Sequence, residues 1–459
     1  MNDESSIPVD YTELAKSCKS FAESTPGGCT EENIANIVKV NATILHIPDS
    51  DVQRVIDMTL ELTKHTLSSG YALVRDKENH VNWYYSRKAS IKMPLTERYI
   101  KYLSKDVGLS AQVINKLDSC TDEIMNYFGD PTKGAFSRKG LVMGDVQSGK
   151  TNTYMMLANK AADAEYKVII ILTSNIESLR KQTQYRVDAS VIGNDSDALL
   201  SGANSIKIGV GTIDGNPVVN PFTSAFYDFN IKTASTNGFQ VRDQNASPCL
   251  LVIKKNKDIL KNLNNWLKKI NTVAGEKINQ SMLLIDDEAD YASVNTRKED
   301  ASIINKAIRT LLNLFTRVTY CGFTATPFAN IYINPDDSDD LFPRDFIYCL
   351  GSSDNYIGPD KMFSADESED ALPDYPRMIQ TIWFKRISDK KLKKNEGLDE
   401  LKLKHTKNDV LMGMPSSLRE AILEFILSCA IRDLRGKSKS HMSMLINMSR
   451  YTNVQENIC

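Results

Sequence analysis

The sequence predicts an α/β fold, a parallel sheet covered by helices on both faces. From Gly140 onward, short apolar runs alternate with helix-length segments. The runs are apolar throughout rather than at every second position, as strands buried on both faces require. One run leads into a glycine-bearing loop that opens a helical stretch, Gly144-Asp145-Val146-Gln147-Ser148-Gly149-Lys150-Thr151. Another ends in acids, Leu283-Leu284-Ile285-Asp286-Asp287-Glu288-Ala289-Asp290.

Residues 1–130 read as mainly helical. Asp51 to Leu67 carries Val52, Val55, Ile56, Met58, Leu60 and Leu62 at near-helical spacing, and Thr96 to Leu103 and Leu109 to Phe128 add two more helical patterns. Between them lies Val81-Asn82-Trp83-Tyr84-Tyr85 beside Arg87 and Lys88. Aromatics near cations can stack on bases, but helix packing is the reading we favour. The expected sheet occupies 131–335, with strands at Gly140–Met143, Tyr166–Thr173, Ser205–Val210, Leu250–Lys254, Met282–Ile285 and Arg317–Phe323. An irregular stretch, acidic and then lysine-rich, is expected over 336–415. A helix from Leu418 to Leu434 and a strand from Met442 to Met448 then read as the start of a second α/β lobe over 416–459.

Composition narrows the function. The 459 residues suffice for about three domains at ~150 residues each. The 56 basic and 58 acidic residues nearly cancel, which excludes a polycation but not a local basic groove. No apolar run reaches the ~18 residues of a membrane span, and MNDESSIPVD is no signal peptide, so we expect a soluble, cytoplasmic protein without a membrane partner. The eight cysteines have no pair at two-residue spacing, which argues against a zinc ribbon or a redox pair. Oligomeric state is not legible.

The loop at Gly144 matches G-x4-G-K-[ST] in full. Its glycines let backbone N–H groups turn toward a triphosphate. Lys150 would reach the β and γ phosphates, and Thr151 would ligate Mg²⁺. The cofactors expected are therefore ATP and Mg²⁺, cradled by Gly144, Gln147, Ser148, Gly149, Lys150 and Thr151. At the acidic strand end, Asp287 would hold the metal and Glu288 would orient the attacking water, although Asp also favours helix N-caps. Gly322-Phe323-Thr324-Ala325-Thr326-Pro327 closes another strand with a turn resembling the one that contacts the acidic motif in helicase-type ATPases. Arg180, Gln182, Lys254 and Lys255, near the ends of two further strands, are candidate contacts to nucleic-acid phosphates, or else solvated helix starts.

With GDVQSGKT, LLIDDEAD, YCGFTATPFANIYINP and LFPRDFI in hand, residues 95–459 resemble the Z-one domain family, large bacterial proteins described as endonucleases. The resemblance implies a RecA-like lobe of a superfamily 2 helicase-like ATPase, linked to restriction and anti-phage defence. It implies DNA and other defence proteins as partners. Lys150, Thr151, Asp287 and Glu288 carry the family's roles, and Thr324 and Thr326 form its coupling turn. A second lobe would supply an arginine to the γ phosphate. In this sequence that lobe ends early, and Arg450 falls too soon to be that arginine; if the sequence is complete, we expect ATP binding with poor turnover. A nucleotide-gated binding module is the alternative to a motor. Pro373-Asp374 and Glu400-Leu401-Lys402 fit a nuclease pattern only weakly, because lysines crowd Lys385–Lys407.

Overall fold

The computed structural model describes all residues except 1–10, 25–30, 64–70, 75–80, 146–148, 237–246, 272–274, 295–301, 352–405, 409–413, 415, 437–440, 447–448, 450 and 457–459. The chain divides into two compact units, Met1–Leu60 with Pro359–Cys459, and Glu61–Gly358. In the first, helices α1 (Thr12–Ser24), α2 (Glu31–Ile44) and α3 (Asp49–Thr63) bury Cys18, Ile34, Val38 and Val55 in a small core.

The second unit is the α/β lobe. Its sheet comprises β1 (Tyr71–Val74), β2 (Phe136–Met143), β3 (Val168–Thr173), β4 (Asn220–Pro221), β5 (Cys249–Lys254), β6 (Ile278–Asp287), β7 (Phe315–Thr324) and β8 (Phe346–Cys349). Their spatial order is β1-β8-β2-β7-β6-β3-β5-β4, parallel except for β1. The strand leading into the phosphate loop, β2, is thus separated from the acidic strand, β6, by β7. This is the RecA-like parallel α/β sheet the motifs anticipate.

The continuous apolar runs are explained by the pleat. On β3, Ile169 and Ile171 face one core while Val168, Ile170 and Leu172 face the other; on β6, Leu283 and Ile285 oppose Met282 and Leu284. Helices α4 (Trp83–Arg87), α5 (Pro94–Lys105) and α6 (Ala111–Tyr127) cover the first face together with α7 (Lys150–Asp163). The lobe continues through α8 (Glu177–Val187), α9 (Ser196–Ser201), α10 (Val210–Ile213) and α11 (Ile231–Thr236). On the second face lie α12 (Lys257–Asn271) and α13 (Ile303–Asn313). Lys160 of α7, fully buried, reaches Asp118 Oδ1 at 2.7 Å and Asp122 Oδ1 at 2.6 Å, pinning the phosphate-loop helix to α6. Trp83 and Tyr84 of the aromatic patch pack as favoured: both are buried, and Trp83 Nε1 donates to Phe128 O at 2.8 Å, whereas Val81 and Tyr85 are exposed.

Several expectations need correction. Packing does not break at residue 130, because α4, α5 and α6 share the sheet's core. Ser205–Val210 is not a strand; Lys207 makes one isolated bridge to Asn194, and the chain turns at Gly209 with φ +49°. Any Cβ on Gly209 would strike Ala189 O, and this close turn overrides the strand expected from Ile206, Ile208 and Val210. The stretch expected to be irregular contains β8, which pairs with β2, Asp345 Oδ2 accepting from Lys139 N at 2.6 Å. It is preceded by a short helix, α14 (Phe328–Ile331). Helix α15 (Ser416–Leu434) forms as expected and is followed by α16 (Thr452–Glu456), but residues 441–446 adopt no strand. Arg450, Pro373-Asp374 and Glu400-Leu401-Lys402 lie outside the described residues.

Candidate functional site

The site forms where β2, β7 and β6 end. Gly149, φ +90°, adopts the left-handed conformation immediately before α7, a turn that costs glycine nothing and aims the helix N-terminus at the loop. Lys150 Nζ donates to Gly144 O at 2.7 Å and Asp145 O at 2.5 Å. Burial pushes its pKa down, against the pull of Asp287, Asp145 and Asp290. Gly144 N donates to Thr324 O at 3.1 Å, tying the loop to β7.

Asp287 is the last residue of β6. Burial raises its pKa, the Glu288 charge adds to the rise, and Lys255 opposes it. Tyr154 of α7 donates to Asp287 Oδ2 at 3.3 Å. Glu288 is exposed and holds φ +55°, a costly conformation for a residue with a side chain, of order 1–3 kcal/mol. Such strain persists where neighbours impose it. Here Lys255 Nζ donates to Glu288 O at 2.6 Å and Tyr291 O at 3.1 Å.

The two threonines of the closing turn converge on one carboxylate. Thr324 Oγ1 donates to Asp290 Oδ1 at 2.7 Å and Thr326 Oγ1 to Asp290 Oδ2 at 2.6 Å. Thr324 Oγ1 also accepts from Thr326 N at 2.9 Å. The sequence reading did not assign Asp290; its signal was the fourth letter of the Asp-Glu-Ala-Asp run.

Gly149, Lys150, Thr151 and Asp287 line a cavity of about 690 Å³. Gln147 and Ser148 lie outside the described residues, and Glu288 is not among the cavity walls. Thr151 Oγ1 accepts from Arg186 Nη1 at 3.4 Å. The oxygens of Thr151 and Asp287 are the hard donors that Mg²⁺ takes, and a lysine held by neutral carbonyls at a helix N-terminus suits phosphate. These residues therefore fit Mg²⁺ and a nucleoside triphosphate.

The four candidate nucleic-acid contacts separate. Arg180 is fully buried; it donates to Glu177 Oε1 at 2.7 Å, Ser224 O at 2.8 Å and Ala225 O at 2.9 Å. Lys255 is also fully buried and pairs with Asp286 Oδ1 at 2.8 Å. Neither side chain presents surface to a strand, and both expectations are corrected. Lys254 pairs with Glu177 Oε2 at 2.6 Å. Gln182 is exposed and lines the cavity beside Lys150, together with Tyr102 and Tyr185. Sequence reasoning missed both tyrosines; their signal was helical spacing, Tyr99 with Tyr102 and Gln182 with Tyr185 and Arg186.

The fold and the site define a phosphate-loop α/β lobe. The model of the Z1 domain matches residues 417–459, which bears out the family resemblance for that segment. No curated protein shows significant similarity to the chain. Among solved structures, the yeast DEAD-box splicing factor Prp28 is similar at 13% identity, over 84% of this chain and 76% of that one, TM-score 0.32. The Sulfolobus solfataricus SWI2/SNF2 ATPase core in complex with dsDNA is similar at 12% identity over 50% of this chain, TM-score 0.26. The match covers 33% of that ATPase core's length. No helix among the described residues is long and apolar enough to cross a membrane.

Proposed function

We propose that the chain binds Mg²⁺·ATP at the phosphate loop and serves as the ATPase of a nucleic-acid motor or remodelling module in restriction-type defence. The observation that carries this is the convergence of Lys150, Thr151 and Asp287, from two separated strand ends, on one cavity. Lys150 exchanges its two carbonyl partners for phosphate oxygens. Thr151 and Asp287 would hold Mg²⁺, which when bound would supply neutralisation of the phosphate charge. Glu288, adjacent to Asp287, orients the attacking water. Thr324 and Thr326, both bonded to Asp290, transmit the state of the acidic turn to β7 and to Gly144. DNA and partner defence proteins enter from the resemblance to the Z-one domain family.

The test is ATPase rate with and without single- and double-stranded DNA, for the wild type and Lys150→Ala. We expect DNA to raise the wild-type rate and Lys150→Ala to lower it by about two to three orders of magnitude, as removal of a preorganised charge stabiliser does. Turnover that survives in Lys150→Ala would remove the phosphate loop from the reaction. Tight ATP binding with no DNA-dependent turnover would replace the motor with a nucleotide gate.

A further inference from the structure

Helix α8 carries three cations, and the fold engages them differently. Arg180 is fully buried and pairs with Glu177, while Lys181 Nζ lies 5.7 Å from the ring centroid of Phe226. Arg186 is exposed and lines the cavity beside Lys150, Thr151 and Asp287. Among the described residues it pairs with no carboxylate; its contact is from Nη1 to Thr151 Oγ1 at 3.4 Å. That is longer than the usual ~2.7–3.2 Å of an N–H···O bond, so the guanidinium is weakly held.

The backbone beneath Arg186 is fixed. Helix α8 runs into a π-helical turn, Asp188–Ile192, of a kind that recurs at functional sites, and Ala189 and Ser190 of that turn share the cavity wall. Asn159 of α7, fully buried, donates to Ser190 O at 3.1 Å and ties the turn to the phosphate-loop helix. Gln184 Nε2 donates to Asp188 Oδ1 at 2.8 Å, and buried Arg98 donates to Val191 O. A weakly held cation on a rigid frame, beside the hydroxyl suited to Mg²⁺, is placed to follow an anionic ligand. The amides of a phosphate loop enclose the inner phosphates, so a group arriving from another helix meets the end left open.

We propose that Arg186 is a terminal-phosphate contact supplied by this lobe itself. On binding of Mg²⁺·ATP its guanidinium leaves Thr151 Oγ1, which frees that oxygen for the metal, and donates to γ-phosphate oxygens through the fork that arginine offers. The inference rests on the nucleotide reading above. It departs from the family resemblance, which implies an arginine from a second lobe, because Arg186 and the phosphate loop belong to one compact unit. The lobe thereby distinguishes ATP from ADP by itself.

Equilibrium binding to the full chain, with Mg²⁺ and either ADP or the non-hydrolysable β,γ-imido analogue of ATP, separates the phosphates. Arg186→Ala weakens the triphosphate analogue by about tenfold or more, as loss of a hydrogen bond to a charged group does, and leaves ADP within about twofold. Its unfolding midpoint stays at the wild-type value, because the side chain is exposed. Arg186→Lys keeps the charge without the fork and falls between wild type and Arg186→Ala. Lys150→Ala weakens both ligands. The contact is overturned if Arg186→Ala keeps its affinity for both ligands, or if both fall by the same factor. A wild type that binds neither ligand overturns the nucleotide reading itself, and this contact with it.

Discussion

Cations stand at strand ends on both sides of the acidic strand β6, and the two sides treat them in opposite ways. Toward β2, Lys150 is held by neutral backbone carbonyls and faces a cavity. Toward β3 and β5, Arg180, Lys254 and Lys255 are each engaged by a carboxylate. A buried cation matched by a carboxylate has its charge compensated and serves the fold. One whose hydrogen bonds go to neutral carbonyls can exchange them for the oxygens of an anionic ligand. The proposed ligand site lies on the side where the lysine's hydrogen bonds go to neutral carbonyls.

The sharpest way to break this contrast is to remove one lysine from each side. Lys255→Ala leaves Asp286 charged and fully buried, with Tyr320 Oη (2.7 Å) as its remaining partner, and releases the carbonyls of Glu288 and Tyr291. We expect a loss of about 3–5 kcal/mol in urea unfolding. Lys150→Ala should leave the unfolding midpoint unchanged or raise it, since it removes a desolvated charge. Equal losses in the two variants would erase the distinction between a structural and a ligand-facing lysine.

The same contrast marks what the sequence made legible. Strands β2, β3, β5, β6 and β7 were readable, as were the three motifs at strand ends, because period, glycine placement and motif order are local properties. Arg180 and Lys255 were misjudged as phosphate contacts because their carboxylates, shown by the fold, cannot be inferred from spacing: Asp286 lies on a different strand, and Glu177, though close in sequence, gave no sign that it would pair. Strand β8 was missed for a related reason. Phe346–Cys349 is too short to show a period, and it is a strand because β2 and β1 pair with it on either side. Ser205–Val210 failed in the other direction, an expected strand defeated by one backbone approach at Gly209.

A smaller effect is expected at the threonine turn. Thr324 is 1% exposed, and Val nearly matches its shape, so Thr324→Val removes the hydroxyl with little change in packing. Asp290 then loses a donor and Thr326 N–H loses its acceptor. Hydrogen bonds to charged groups are worth about 1.5–3 kcal/mol, and we expect a loss in that range from unfolding curves. Thr326→Val, at an exposed position, should cost less. The reverse order would mean that the outer hydroxyl, not the buried one, holds the acidic turn.

A pH-dependent effect is expected at the far end of the phosphate-loop helix. Asp163, the last residue of α7, accepts from Leu95 N at 3.1 Å, Thr96 N at 2.9 Å and Thr96 Oγ1 at 2.7 Å, anchoring the first turn of α5 and with it the tyrosine wall. Burial pushes its pKa up to about 6 from an ordinary 3.8, against the hydrogen bonds from Thr96 and Leu95 that pull it down. The folded chain therefore takes up this proton at a higher pH than the unfolded chain does. Stability from this group rises as pH falls from about 6 toward about 4 and is lost again as pH climbs back through 6, with a slope of at most about 1.4 kcal/mol per pH unit. Asp163→Asn cannot titrate, so subtracting its pH profile from the wild type's should isolate that slope. Parallel profiles would mean that Asp163 is solvated enough to keep its ordinary pKa, and that α7 serves α5 through uncharged packing alone.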